Sequence, residues 1–117
     1  MYLDIFSLHL MLIPILVNGS HWTCAGINFY NKTITYYDSM GGSGRKVLLL
    51  LYRYLKDEHE HKKKCPLPNP DEWKLLSPGR RIPQQHNCSD CGVFSSQFLN
   101  YLSNKKPFDF AQQHIQN

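Results

Sequence analysis

Apolar runs separated by turn residues in the first third of the chain predict three consecutive β-strands. The first run spans 13–17, and the Asn18-Gly19 pair after it is a typical turn sequence. The next two runs, 22–30 and 33–37, are rich in β-branched and aromatic residues, which favour extended structure. The pattern therefore predicts a small sheet, with Asp38 directly after its third strand.

Two later segments have the spacing of amphipathic helices. Between residues 45 and 57, apolar residues recur at helical spacing and charged residues fall between them, and Ser43 is placed to cap this helix. A second helix is predicted to begin after Asp90 as its N-cap and to end at the 105–107 Lys-Lys-Pro sequence. Cys91 would then lie in the first turn of the second helix.

The two helices are joined by a segment that cannot be helical throughout. Residues 65–70 contain three prolines, which remove backbone donors and clash with a preceding helical turn, so they form a linker. Residues 72–76 are predicted to add a short strand. The chain has 117 residues, of which 42% are apolar, and this length and composition fit one modest globular core.

Charge and hydropathy exclude several function classes. The net charge is +4, and the charged residues concentrate in 56–64, where acidic residues alternate with basic ones, as in a solvated helix end or loop. A surface for an acidic protein partner is the alternative, and a nucleic-acid interface lacks support because no aromatic residues are interleaved. Residues 1–17 are apolar but are interrupted by Asp4, His9 and Pro14, so they predict neither a signal peptide nor a membrane span.

The four cysteines, Cys24, Cys65, Cys88 and Cys91, are interpreted as free thiols in a reducing, intracellular compartment, since no export signal precedes them. An alternative is a zinc module. Its ligands would be Cys88 and Cys91 with His21 or Cys24, or Cys65 with His61. A single Cys-x-x-Cys pair is weak support for zinc, because structural sites usually have a second pair.

Cys91 is the candidate nucleophile. A helix N-terminus stabilises a thiolate, and Gly92 after it leaves the approach to the sulfur open. Such a thiol needs an imidazole that exchanges protons and a group that orients the imidazole. His21 and Asp38 are the candidates, since antiparallel strands would bring them to one edge of the sheet. Gln85, six residues before Cys91, is the candidate donor to a developing oxyanion.

Three segments together resemble the active-site motifs of the SUMO/sentrin-specific proteases. They are Ser-His-Trp at 20–22, Thr-Tyr-Tyr-Asp-Ser-Met-Gly-Gly at 35–42 and Ile-Pro-Gln-Gln-His-Asn-Cys-Ser-Asp-Cys-Gly at 82–92. The segment 108–114 is similar to the stretch that follows the nucleophile helix in that family. The resemblance therefore covers nearly the whole chain.

The resemblance implies a role for each candidate residue. His21 would be the base, Asp38 would orient it, Gln85 would form the oxyanion hole, Cys91 would attack, and Trp22 would cover the narrow Gly-Gly tail of the modifier. It implies an α+β, papain-like fold of the ubiquitin-like protease type, with a central mixed or antiparallel sheet flanked by helices. SUMO and its conjugates would be the partners, without nucleic acid, membrane, metal or cofactor, and the location would be nuclear.

The chain departs from the family pattern in two ways. Cys88 occupies a position where the family usually has glycine, next to the oxyanion loop. Family domains are also about twice as long as this chain, so residues 1–117 are expected to form a partial catalytic domain without the upstream half and the final helix. An inactive relative that binds the modifier or another partner is the alternative function.

Overall fold

A computed structural model describes residues 4–85 and 90–104 of the chain. These residues form a four-stranded sheet with a helix on each face. The strands are β1 (Leu10–Val17), β2 (His21–Asn28), β3 (Thr33–Tyr37) and β4 (Lys74–Leu76). The helices are α1 (Arg45–Lys63) and α2 (Cys91–Ser103), and short 3₁₀ turns span Ile5–Ser7, Pro70–Glu72 and Gly79–Arg81.

The sheet is mixed, and its strand order follows the chain order β1-β2-β3-β4. The first three strands are antiparallel, whereas β4 runs parallel to β3 after the crossover through α1. In the β2–β3 register Cys24 lies opposite Tyr37. The first residues of β2 and the residues that follow β3 therefore meet at the same end of the sheet.

The sheet separates two hydrophobic clusters. The cluster beneath α1 contains Ile5, Ile27, Ile34, Tyr36, Leu48 and Leu55. The cluster beneath α2 contains Cys24, Ile82, Phe94 and Phe98. Because successive strand residues point to opposite faces, β2 supplies Cys24 to one cluster and Ile27 to the other. Burying each Phe of α2 stabilises the fold by about 1.5–3 kcal/mol and fixes the start of that helix against the sheet.

Helix α1 is longer than the predicted 45–57, since it continues to Lys63. Its last turns are made of charged residues, and Glu58 and Lys62 lie 3.9 Å apart as an i,i+4 pair. Lysines in the last turn also complement the helix dipole. The charged segment is thus a solvated helix end. The predicted cap is wrong, because the N-cap residue is Gly44 in the left-handed region (φ 61°) and not Ser43.

Strand boundaries also differ slightly from the prediction. β1 begins at Leu10 and not at residue 13, and Pro14 lies within it opposite Cys24. β2 is 21–28, and β4 is limited to 74–76. Asp90 is the N-cap residue of α2 as predicted. None of the helices described here is long and apolar enough to cross a membrane.

Candidate active site

His21 and Asp38 form a close pair at the end of the sheet. His21 is the first residue of β2 and Asp38 follows β3, so the antiparallel register brings them together. His21 Nε2 lies 2.6 Å from Asp38 Oδ1, and the Asp38 side chain is only 8% exposed. An Nε2–H group that donates to this carboxylate leaves the other ring nitrogen, Nδ1, with a lone pair. The imidazole can then accept a proton through Nδ1.

The turn after β3 fixes the Asp38 carboxylate. Asp38 Oδ1 also accepts a hydrogen bond from the backbone N–H of Met40 at 2.8 Å, and Gly41 N–H donates to Asp38 C=O at 2.9 Å. Gly41 has a φ of 80°, which few other residues tolerate. A Cβ on Gly42 would lie 2.5 Å from Asp38 Oδ2. The Asp-Ser-Met-Gly-Gly sequence therefore builds a tight turn with room for the carboxylate.

Gly42→Ala tests this arrangement. The added methyl group would push the Asp38 carboxylate from its position, so we expect the reactivity of Cys91 to fall about tenfold or more, because small displacements of catalytic groups are costly. Gly26→Ala is the matched control, since its Cβ would meet only side-chain atoms at 3.6 Å and beyond. Thiol labelling rates and thermal unfolding would be measured for both variants. Equal labelling rates would contradict the steric role of Gly42.

Cys91 is the first residue of α2 and lies against the start of β2. Its Sγ accepts a hydrogen bond from the backbone N–H of Trp22 at 3.3 Å and lies 4.0 Å from the carbonyl oxygen of Ser20. These two contacts are made to the residues on either side of His21. Cys91 is 6% exposed, and it is the first residue of α2, where the unpaired N–H groups of the helix favour negative charge. The structure thus places the sulfur beside the predicted base.

Gln85 lies in the same site, although it is distant in sequence from the sheet. Its backbone N–H donates to Ser39 C=O at 2.9 Å, and its side-chain Oε1 accepts a hydrogen bond from the Ser39 hydroxyl. A cavity of about 350 Å³ is lined by Ser20, His21, Met40 and Gln85. Gln85 therefore lines the same cavity as His21.

The chain from residue 3 to residue 117 matches the family model of the Ulp1 protease family, C-terminal catalytic domain. This chain belongs to that family. It is 36% identical to human sentrin-specific protease 2 over 113 residues, which cover 96% of this chain and 19% of that protein. It is 38% identical to a sentrin-specific protease of Caenorhabditis elegans over 112 residues, which cover 96% of this chain and 16% of that one.

Solved structures of Ulp1 proteases are similar to the described fold. One is the C-terminal Ulp1 protease domain in complex with Smt3, the yeast ortholog of SUMO, with a TM-score of 0.72 and 26% identity over 95% of this chain and 48% of that chain. Another is Ulp1 with its catalytic cysteine oxidized to a sulfonic acid, with a TM-score of 0.76 and 29% identity. The match covers 92% of this chain and 48% of that chain. The α+β, papain-like fold of the ubiquitin-like protease type is confirmed.

The chain spans about half of these solved domains and about a fifth of the curated human relative. That residues 1–117 form a partial domain stays a prediction. The segments 86–89 and 105–117 lie outside the described residues. The outcome for Cys88 and for the 108–114 similarity therefore lies outside them as well. The second helix ends at Ser103, with Asn104 as its C-cap residue, just before the predicted end at 105–107.

Trp22 lies at the surface of this Ulp1-family site and not in the core. Its side chain is 42% exposed, and it lines a cavity of about 270 Å³ together with Pro14, Gly92 and Leu99. Its ring atom Cδ1 is 3.8 Å from the position that a Cβ on Gly92 would occupy. Trp22 and Gly92 thus form an open apolar cleft directly beside Cys91.

The other described cysteines do not share this environment. Cys24 is fully buried beneath α2, and desolvation raises the pKa of its thiol to about 12, so it stays protonated and unreactive. Cys65 is exposed near the end of α1. Among the described residues, no group of three or more potential ligands could hold a metal ion. The zinc alternative gains no support from this part of the chain.

Two residues of the site had no role assigned from the sequence. Ser39 bonds to Gln85, and Gln84 Nε2 donates to Ile82 C=O at 3.0 Å and to Asp38 C=O at 3.4 Å. Both residues stand inside the motifs, next to a predicted catalytic residue. Their positions next to Asp38 and Gln85 in the sequence could have suggested a role. Their hydrogen-bond partners, however, are known only from the structure.

Proposed function

We propose that this protein is a SUMO-specific cysteine protease that cleaves after the C-terminal Gly-Gly of SUMO. The observation that carries the proposal is the 2.6 Å bond between His21 Nε2 and Asp38 Oδ1, with Cys91 Sγ held by the backbone next to His21. A carboxylate, an imidazole and a thiol at a helix N-terminus are the parts that nucleophilic acyl transfer by cysteine requires.

In the proposed reaction, the Cys91 sulfur attacks the carbonyl carbon of the terminal glycine while His21 takes the thiol proton. Gln85 and the backbone N–H of Cys91 donate to the oxygen that becomes negative in the tetrahedral intermediate. His21 then gives its proton to the leaving amine, and the C–N bond breaks. Water then attacks the resulting thioester and His21 accepts the proton of that water. The C–S bond breaks, the proton returns from His21 to the Cys91 sulfur, and SUMO is released with a free carboxylate.

The leaving amine would be the lysine side chain of a conjugated protein or the α-amine of a precursor tail. Both reactions use the same acyl group, so the same residues would serve isopeptidase and precursor-processing activity. SUMO and SUMO-conjugated proteins are the proposed partners, with no nucleic acid or membrane and with nuclear residence. The similar Ulp1 protease domain was solved in complex with Smt3, the yeast ortholog of SUMO, and this complex, together with family membership, supports the choice of modifier.

A SUMO protein whose C-terminal glycine carries a vinyl sulfone tests the proposal. The expected product is a covalent adduct at Cys91, identified by intact mass and by peptide fragmentation. Ubiquitin with the same electrophile is the matched control and should give much less adduct. An adduct on another cysteine would sink the assignment. No adduct while small alkylating reagents still label Cys91 would show that this chain does not hold the modifier, as expected of an inactive relative or of a partial domain.

Trp22→Ala is expected to slow the SUMO vinyl sulfone reaction about tenfold, because an exposed tryptophan in a cleft is a typical binding hot spot. The backbone N–H that bonds to Cys91 Sγ is retained in this variant, so labelling by iodoacetamide should hardly change. Tyr30→Ala is the control, since Tyr30 is an aromatic residue that is 73% exposed and lies just after the other end of β2. Equal loss with both reagents would contradict a substrate-binding role for Trp22.

A further inference from the structure

Ser39 is buried between the two halves of the candidate site. It follows Asp38 in sequence and is 1% exposed. The carbonyl oxygen of Ser39 accepts a hydrogen bond from the backbone N–H of Gln85 at 2.9 Å, and the Ser39 hydroxyl donates to Gln85 Oε1. Ser39 therefore contacts Gln85 through both its backbone and its side chain, across 46 positions of sequence.

The side-chain bond decides which end of the Gln85 amide faces Ser39. An amide has one accepting end, Oε1, and one donating end, the NH₂ group. Because the Ser39 hydroxyl engages Oε1, the NH₂ group is the end directed away from Ser39. Only that end can donate to a negative oxygen, so the orientation decides whether Gln85 can stabilise an oxyanion.

We propose that Ser39 is a positioning residue that orients the Gln85 amide for oxyanion stabilisation. This inference rests on the proposed function, in which Gln85 is the oxyanion donor. It also links the two halves of the site, since Asp38 holds His21 while the next residue, Ser39, holds Gln85. One dipeptide at the end of β3 thereby sets the geometry of proton transfer and of charge stabilisation.

Two reactions of Cys91 separate oxyanion stabilisation from thiol reactivity. With p-nitrophenyl acetate, the sulfur attacks the carbonyl carbon, an oxyanion forms, and p-nitrophenolate leaves as the C–O bond breaks. With iodoacetamide, the sulfur displaces iodide from a saturated carbon, and no oxyanion forms. A residue that acts through the oxyanion hole affects the first reaction and not the second.

The experiment measures both rates on the full chain, with site-resolved mass spectrometry at Cys91, for Ser39→Ala, Gln85→Ala and the double variant. Ser39→Ala is expected to slow acylation about tenfold and to leave alkylation within about twofold. Gln85→Ala is expected to slow acylation on the order of a hundredfold, the usual loss for one oxyanion donor. The double variant should be no slower than Gln85→Ala.

Thr23→Val is the matched control, because it also removes a buried hydroxyl, one that bonds to Ile15 C=O at 3.2 Å in the sheet. It should leave both rates near those of the parent chain. Equal loss of acylation and alkylation in Ser39→Ala, or a full multiplicative loss in the double variant, would overturn the inference alone. Failure of the parent Cys91 to be acylated while it is alkylated would overturn the proposed function as well.

Discussion

Replacing Cys91 with serine is expected to abolish adduct formation with the SUMO vinyl sulfone and to remove acylation by a small ester. Serine keeps the size of the side chain at a position that is 6% exposed, so the fold and the first turn of α2 should be retained. Its hydroxyl is far less acidic than a thiol, and an imidazole placed for a thiol activates it poorly. The rate should fall on the order of 10⁴-fold or more.

Stopped-flow release of p-nitrophenolate and intact mass would measure the loss, and circular dichroism would verify folding. Cys65→Ser is the matched control because Cys65 is exposed and follows the C-cap of α1, outside the motifs of the site, and it should retain the parental rate. Cys24 provides an internal control, since its buried thiol should be alkylated only in denaturant. Parental turnover in Cys91→Ser would show that another residue is the nucleophile.

The meeting of His21 and Asp38 was predictable from the sequence because it depends on local signals. The Asn18-Gly19 turn and the β-branched runs specify a β-meander, and antiparallel pairing then brings the start of β2 to the end of β3. Asn18 and Gly19 have φ values of 52° and 72°, which these two residue types tolerate. Strand order and residue type therefore sufficed for this half of the site.

Features that depend on tertiary contacts were not predictable in the same way. The parallel pairing of β4 with β3 joins segments about 40 residues apart, and nothing in a three-residue strand specifies its partner. The N-cap of α1, Gly44, lies so close to β3 that a Cβ there would be 2.1 Å from the Tyr36 ring. This close approach of helix and strand explains the glycine, and it is a tertiary contact. The contact of Ser39 with Gln85 is non-local for the same reason.

The end of α1 shows how tertiary structure also affects boundaries. The apolar pattern stops near residue 57, but the helix continues to Lys63, supported by i,i+4 charge pairs and by the bond of Lys63 Nζ to Asp4 Oδ2 at 2.5 Å. That bond ties the last turn to the 3₁₀ turn near the start of the described chain. Amphipathic periodicity locates the packed part of a helix and not its solvated end.

Removal of His21 is expected to be nearly as severe as removal of the nucleophile. His21→Ala deletes the proton acceptor, and acylation of Cys91 should slow on the order of 10³-fold, within the usual range for general acid–base catalysis. Asp38→Ala should be somewhat milder, near a hundredfold on the same scale, because the imidazole remains but loses its orientation. Exogenous imidazole should partly restore His21→Ala and should not restore Cys91→Ser.

Asp38→Asn separates orientation from charge. In the parent chain the same oxygen, Oδ1, accepts both His21 Nε2–H and the backbone N–H of Met40 at 2.8 Å. The Met40 N–H requires an acceptor, so the carbonyl oxygen of asparagine should occupy the Oδ1 position and still receive the imidazole proton. Geometry and tautomer would then be kept, and only the negative charge that stabilises the imidazolium would be lost.

We therefore expect Asp38→Asn to slow acylation by only about tenfold, clearly less than Asp38→Ala, since a charged hydrogen bond is roughly twice as strong as a neutral one. The measurements are acylation rates for both variants, and the ring ¹⁵N chemical shifts of His21, which report the tautomer. A loss in Asp38→Asn that equals the loss in Asp38→Ala, with the proton moved to Nδ1, would show that the amide turns toward the imidazole. Met40 would then not be the group that fixes the carboxylate.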